Sequence, residues 1–502
     1  DLHSFPTRRS SDLSLGGLSC GVILAKNGYD VTILEQGAHI GGCLQCFTRR
    51  GVRFETGMHF IGSASEGQTL DRLLKYLEIK KDIRLSPLDS NGYDVVALNG
   101  RCYRFANGRE KFLQQMTSYF PHQAEELIRY FDLVEKVAGA SSLHSLKHVE
   151  SDPIINADYQ LRSINEVIES VISDPELAKV LVGSLPLYAA ERDKTPFSTH
   201  AFIMDFYNQS AYRIVGGSDA IAKSMVSTIE HYGGCVLSSS KVTRLLCDDS
   251  HAIGVEVNGS EFMPCDFVIS DTHPMRTLEL TDSKLIRPAF RNRINTIPQT
   301  VGGFSVYLEF KDNSVPYQNY NFYGYNYGTP WNCEQYDTDS WPKGYLYMHF
   351  CDDANQLFAK TGVVISYMQM KDVEQWGGTK VGHRGADYEA FKRQKAELLL
   401  ESVEKQFPGL RSHIKHYYTS TPLTYQDYTG TEGGSMYGVA RDINLGAACR
   451  VPHRTKIPNL LQTGQNINSH GILGVVVGTI VTCSELLTSE KIYQQIMGAN
   501  KV

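Results

Sequence analysis

The stretch Gly16–Gly42, GGLSCGVILAKNGYDVTILEQGAHIGG, decides how this chain is read. Its two leading glycines open a helix, Asn27-Gly28 end it, Val31 to Leu34 form a strand, and Glu35 stands at that strand's end. This is the order of a βαβ unit that holds a dinucleotide. A helix N-terminus offers free N–H groups and a positive dipole end, and glycine lets a pyrophosphate approach the backbone. Gly16 and Gly17 are placed for that contact. An acidic residue roughly 20 positions later meets the ribose hydroxyls, and Glu35 holds that place. The second pair, Gly41-Gly42, marks another close approach. It suits a longer ligand that continues towards a flavin ring, and so points to FAD.

The strand that should precede this unit does not appear. A full G-x-G-x-x-G ending at Gly17 needs glycines where the chain has Asp12 and Ser14. The segment before them, HSFPTRRSSDL, holds Pro6, Arg8, Arg9 and three serines, whereas central parallel strands are near-continuous apolar runs. Residues 1–13, which begin at Asp1 and not at a methionine, are expected to be a non-native segment joined near Leu13 that contributes nothing to function. The alternative is a genuine tail. In either case a lost first strand is expected to weaken FAD binding.

Composition narrows the class. The 502 residues allow two or more domains. Hydrophobic content of 42% and charged content of 21% are those of an ordinary globular protein. With 49 basic against 55 acidic residues and no basic block, nucleic acid is not an expected partner. Eleven cysteines without a framework spacing suit a reducing cytoplasm. The longest apolar run, Gly471 to Cys483, falls short of the roughly 20 helical residues that span a bilayer and reads as a buried helix.

Beyond Gly42, GVRFETGMHFIG (Gly51–Gly62) reads as a strand and turn. Leu70 to Glu150 reads as mostly helical, with further helix over Ile164 to Leu185; these segments form an expected cap. Gly216-Gly217 then lead into a helix from Asp219 to His231, closed by Gly233-Gly234. Strands at Val236–Leu237 and Val242–Leu246, with AIGVEV and DFVISDTH, return the chain to an α/β layer. Between Ile297 and Tyr425 the sequence is rich in aromatics and strand-like pieces, interrupted by a helix over Asp387 to Gln406. At the C-terminal end Leu460–Gln462 form a last strand and Gly464-Gln465 a tight turn. Gly471 to Gly474 open a helix whose N–H groups suit a flavin's N1–C2=O edge.

Taken together, these motifs resemble the retinol saturase (all-trans-retinol 13,14-reductase) family, within the phytoene desaturase and carotenoid isomerase group of FAD enzymes. The carrying segments are GGCLQCF at Gly41, GVRFETGMHFIG at Gly51, VGGSDAIA at Val215, RGADYEAFK at Arg384, STPLTYQDYTGTEGGSMYG at Ser420 and NLLQTGQNINSHGILG at Asn459. The resemblance implies that Gly16 and Gly17 face the pyrophosphate, Glu35 the ribose, and Gly41, Gly42 and Cys43 the path to the ring. It sets Gly57, Met58 and His59 along the isoalloxazine face and brings Val242 to the adenine through its backbone. Gly464 and Gln465 would meet the phosphate–ribityl linker, and Ile472, Leu473 and Gly474 the pyrimidine end.

Catalytic candidates are few. His59, between glycines, is the candidate proton donor or polyene-positioning group, with a structural imidazole as the bland alternative. His470 shares that ambiguity. Tyr437 is the candidate cavity hydroxyl, against plain core packing. Cys43 and Cys46 form a C-x-x-C, but zinc needs two further ligands and a second C-x-x-C is absent. His144 and His148 lie far downstream, and no metal is expected. No triad or carboxylate dyad stands out, which suits chemistry carried by a flavin.

The expected fold is α/β: a discontinuous, glutathione-reductase-like FAD-binding Rossmann domain (14–75, 212–275 and 425–495) with an α+β substrate domain (76–211 and 276–424). No second G-x-G-x-x-G appears, so electrons are expected from an external donor such as NAD(P)H. The expected activity is saturation of one C=C bond in a lipophilic conjugated polyene. Desaturation or cis–trans isomerisation on the same scaffold, or a non-catalytic flavoprotein-like chain, are the rivals. The substrate is expected to arrive by peripheral membrane contact, and oligomeric state is not readable.

Overall fold

The computed structural model describes residues 14–141, 146 and 153–501. The expectation for residues 1–13 and the pair His144 and His148 lie outside the described residues. Helix α1 (Leu15–Lys26) starts at Ser14 and stops at Asn27, with Gly28 at φ 84°. It is buried on all sides, as its uniformly apolar sequence requires. Gly21 makes its packing possible: a Cβ there would fall 2.4 Å from Ile33 and 2.9 Å from Ile229 side-chain atoms.

Among the described residues the parallel layer consists of two pairs. Strand β1 (Thr32–Leu34) pairs with β2 (Cys235–Leu237). Strand β3 (Val268–Ser270) pairs with β4 (Leu460–Gln462). The helix Asp219–His231 leads into β2 and packs on α1. A three-stranded antiparallel sheet holds Val242–Cys247, Ala252–Val257 and Glu261–Pro264.

The other layer is a seven-stranded sheet in the order Ile414–Ser420, Gly302–Phe310, Thr361–Met368, Gly344–Phe350, Asn321–Tyr325, Asp94–Leu98 and Arg101–Phe105. All its pairings are antiparallel except that of Asn321–Tyr325 with Asp94–Leu98. Its last two strands correct the reading of Leu70–Glu150 as mostly helical. Asp94–Leu98 is buried at every position, and Asn99-Gly100, both at positive φ, turn it into its partner. Asn-Gly between two strand-like runs is a strong hairpin signal, and the helical periodicity further along obscured it.

The cap helices Arg109–Tyr119, Ala124–Gly139, Ile164–Val171 and Pro175–Leu181 share one core with this sheet. With them lies helix α2 (Phe197–Gln209), which the sequence reading did not anticipate. Apolar side chains surround it (Phe197, Ala201, Phe202, Ile203, Met204, Phe206), so it shows no amphipathic stripe. Helix α3 (Gly471–Leu487) runs beside α1 as the expected buried helix. Among the described residues no helix is long and apolar enough to cross a membrane.

Candidate active site

A cavity of about 220 Å³ lies where the two layers meet. One end is lined by Ser14, the Gly41–Leu44 turn and Asp271; the far end by α2, Leu346, Ile365 and Met436. Between them stand Gly57, Met58, His59, Tyr437, Gln465 and the first residues of α3. The cavity therefore gathers Gly41, Gly42, Cys43, Gly57, Met58, His59, Tyr437, Gln465, Ile472, Leu473 and Gly474, eleven residues that the sequence had marked separately.

Local backbone geometry explains how these segments meet. Gly41 (φ 120°) and Gly42 (φ 50°) turn the chain over Ser14, and a Cβ on Gly42 would sit 3.0 Å from that of Ser14. A Cβ on Gly57 would sit 2.9 Å from that of Cys43. At the start of α3, Gly471 (φ 73°) has nothing within 4 Å of where a Cβ would be, and no side chain caps the helix. Its first-turn N–H groups lack intrahelical acceptors and border the cavity, the environment an electron-rich ring edge requires. Arg441 holds the preceding turn by donating to the carbonyls of Asn466, Ile467 and Asn468. The sequence reading gave Arg441 no role, and nothing in its local sequence marks one.

The imidazoles of His59 and His470 are both neutral. Burial, helped by the Arg213 guanidinium, lowers His59 to about 3. Burial, helped by Arg441, lowers His470 to about 4. His59 Nδ1 and His470 Nε2 are shut from solvent without hydrogen-bond partners among the described residues. Arg213, buried between Phe60 and Phe350, donates to the His59 carbonyl at 3.1 Å and so fixes this segment. Tyr437 stacks on His470 with ring centroids 4.6 Å apart, and its hydroxyl donates to the Pro186 carbonyl at 3.1 Å. Burial pushes that phenol well above its ordinary range.

Other marked residues lie outside the cavity lining. Glu35 is fully buried, with Oε1 accepting from the Gly37 N–H at 2.5 Å. The Ser240 N–H donates to the Glu35 carbonyl at 2.7 Å, which brings the strand start at Val242 close to Glu35. Gly16 and Gly464 touch back to back: a Cβ on Gly16 would lie 2.9 Å from the Gly464 backbone. Cys43 and Cys46 are not joined in a disulfide, and of the two Cys43 lines the cavity. Cys46 contacts Glu55 and Ser218, and burial pushes its thiol up to about 11, the state of an inert cysteine. No metal-binding group occurs among the described residues.

One contact was not foreseen. At the N-terminus of α1, Asp271 Oδ2 accepts from the Gly17 N–H at 2.6 Å and from Ser14 Oγ at 2.7 Å. The helix end expected at the pyrophosphate thus carries an internal carboxylate, whereas the end of α3 expected at the flavin is open. The sequence shows Asp271 only as the last residue of DFVISD, with no spacing that ties it to Gly17.

A glycine-bordered helix, a buried acidic residue after β1 and a cavity bordered by an uncapped helix start define a flavin-dependent oxidoreductase of the α/β FAD-binding class. The chain belongs to the flavin-containing amine oxidoreductase family, whose profile matches residues 15–476. It is 28% identical to all-trans-retinol 13,14-reductase of Rattus norvegicus, over 96% of this chain and 85% of that protein. It is 22% identical to chloroplastic prolycopene isomerase 2 of an Oncidium hybrid cultivar, over 93% of this chain and 81% of that one. In fold it is similar to an oxidoreductase from Methanosarcina mazei (TM-score 0.63, 15% identity), covering 94% of this chain and 98% of that structure.

Proposed function

We propose that this protein binds FAD and saturates a C=C bond in a lipophilic conjugated polyene of the retinol or carotenoid kind. The observation that carries the reading is the character of the cavity. Among the described residues lining it, Asp271 at the Ser14 end is the only carboxylate, and none is Lys or Arg. A cationic amine would enter without a counter-charge at the far end, where burying a charge unpaired is costly. A neutral, elongated hydrocarbon meets Leu346, Ile365, Met436 and the Phe202, Ile203 and Phe206 side chains of α2. The similarity to a retinol reductase and to a prolycopene isomerase supports the same substrate class.

Bound FAD would supply the two-electron chemistry. Gly16 and Gly17 would border its pyrophosphate, Glu35 its ribose and Val242 its adenine; Gly41, Gly42 and Cys43 would line the path to the ring, Gly57, Met58 and His59 its face, Gly464 and Gln465 its linker, and Ile472 to Gly474 its ring edge. The proposed partition assigns these residues to 14–75, 212–275 and 425–495, and the far wall of the cavity, Met436 excepted, to 76–211 and 276–424. The chain's own contribution is position and dryness. Its apolar walls exclude water, so a polyene and the ring edge meet in a low-dielectric space. His59 and His470, being neutral, orient a substrate by hydrogen bonding and store no proton at neutral pH. The proton that completes saturation would come from a water molecule admitted with the substrate or from a protein acid. The reductant is an external donor, for which NAD(P)H is our candidate, and substrate is delivered by peripheral contact with a membrane.

The test is an anaerobic incubation of the reduced protein with all-trans-retinol or a carotenoid, followed by mass analysis. A gain of two hydrogens is expected. A loss would mean desaturation, unchanged mass with altered retention isomerisation, and turnover of small amines alone would overturn the assignment.

A further inference from the structure

Asp271 occupies the donors that a pyrophosphate needs. Its Oδ2 accepts from Gly17 N–H and Ser14 Oγ, and a backbone hydrogen bond from Ser14 adds to these. Its other oxygen, Oδ1, is shut from solvent and has no partner among the described residues. That oxygen lies against Gly464 and Gly16: a Cβ on either would sit 2.1 Å or 2.5 Å from it. The carboxyl therefore stands between the α1 N-terminus and the Gly464 turn, on the line where the dinucleotide is read to pass.

Charged groups near it give no relief. Glu35, at the end of β1, adds like charge. His273 on the same segment is engaged as a neutral ring, its Nδ1 accepting from the Met275 N–H and its Nε2 paired with Gln299. His470 is neutral, and among the described residues lining the cavity none is Lys or Arg. A carboxylate beside a diphosphate in such a place would face like charge at close range in a low dielectric. The neutral acid would instead keep Oδ2 as the acceptor of the Gly17 N–H, carry its proton on the enclosed Oδ1 and put no like charge beside the phosphates.

We propose that Asp271 is a residue of the dinucleotide site, that it holds FAD only as the neutral acid, and that FAD uptake is therefore coupled to binding of one proton at this carboxyl. The inference rests on the FAD reading above. Burial, which disfavours the charged form, already raises Asp271 to about 7 in the free protein. The sign follows: affinity is full below that value and is lost as pH rises through it. With a midpoint near 7, the dissociation constant should rise about 100-fold between pH 6 and pH 9 as the competent fraction falls.

Calorimetric titration of the full chain with FAD at pH 6 to 9, in two buffers of different ionisation enthalpy, measures both affinity and proton uptake. Uptake should approach one proton at pH 9 and fall towards zero at pH 6. Asp271→Asn keeps an acceptor for Gly17 and, like the neutral acid, carries no charge, so its affinity should be nearly independent of pH and tighter than wild type at pH 9. Proton uptake in the wild type tests the idea even if the variant does not fold. FAD binding that is flat with pH and takes up no proton would overturn the proposal while leaving the flavin reading standing. The same pH dependence in Asp271→Asn would also overturn it. Failure to bind FAD at any pH, both in this chain and in one whose first 14 residues are replaced by an apolar strand ending in G-x-G, would overturn both.

Discussion

Replacing Gly464 with alanine should destabilise the protein through Asp271, and the size of the effect can be worked from the geometry. Gly464 sits at φ 91°, a region that costs an L residue about 1–2 kcal/mol. The new Cβ would lie 2.1 Å from Asp271 Oδ1 and 3.3 Å from its Cγ, so the carboxyl must swing away. It would then lose at least one hydrogen bond of a charged group, about 1.5–3 kcal/mol. The total is about 2.5–5 kcal/mol, a large part of a typical net stability of about 5–15 kcal/mol. In an Asp271→Ala background the obstructing atoms are gone, and only the backbone cost of about 1–2 kcal/mol should remain. A double-mutant cycle in urea at pH 8, without added flavin, should therefore give a coupling of about 1.5–3 kcal/mol. Equal costs of Gly464→Ala in both backgrounds would refute the contact between the carboxyl and the turn.

The remaining predictions concern the cavity hydroxyl and an acidic group remote from it. Tyr437→Phe should retain activity to within about tenfold, since its hydroxyl donates to Pro186 and burial raises its pKa; a loss beyond about 100-fold in kcat would mean that the phenol transfers the proton. Asp71 is buried in an ion-pair network with Lys75 at 3.0 Å and Lys80 at 2.9 Å. Its burial alone would raise the carboxyl, but bonds from Lys80, Lys75 and the Gly67 N–H outweigh that and hold it below 3.8. A depressed carboxylate contributes stability above its unfolded value and loses it as pH falls through the folded one. Asp71→Asn should then cost about 1–3 kcal/mol at pH 7 and flatten the acid limb of the stability curve below about pH 4. Parallel pH–stability curves for the two proteins would refute this.

Much of the site was legible in the chain because its signals are local. Glycines before and after a helix, an acidic residue after a strand and Gly-Gly turns are demands of backbone conformation. They show in a few consecutive residues, as Gly16, Glu35, Gly41 and Gly471 do. The Asn99-Gly100 hairpin was equally local and was overlooked beside a longer helical pattern. What the sequence could not convey were contacts between distant segments. Helix α2 has no exposed residue and mixes apolar and polar side chains around its circumference, so no stripe of polarity revealed which wall it forms. Arg441 fixes the turn before α3, and Arg213 the His59 segment, through backbone carbonyls far away in sequence. The capping of Gly17 by Asp271 joins residues 254 positions apart. By itself the sequence determined the class of ligand and the order of the elements that hold it, because those follow from local backbone rules. Only the tertiary structure decided that one helix end is open and the other already carries a carboxylate, because an electrostatic neighbour is a matter of distance in space.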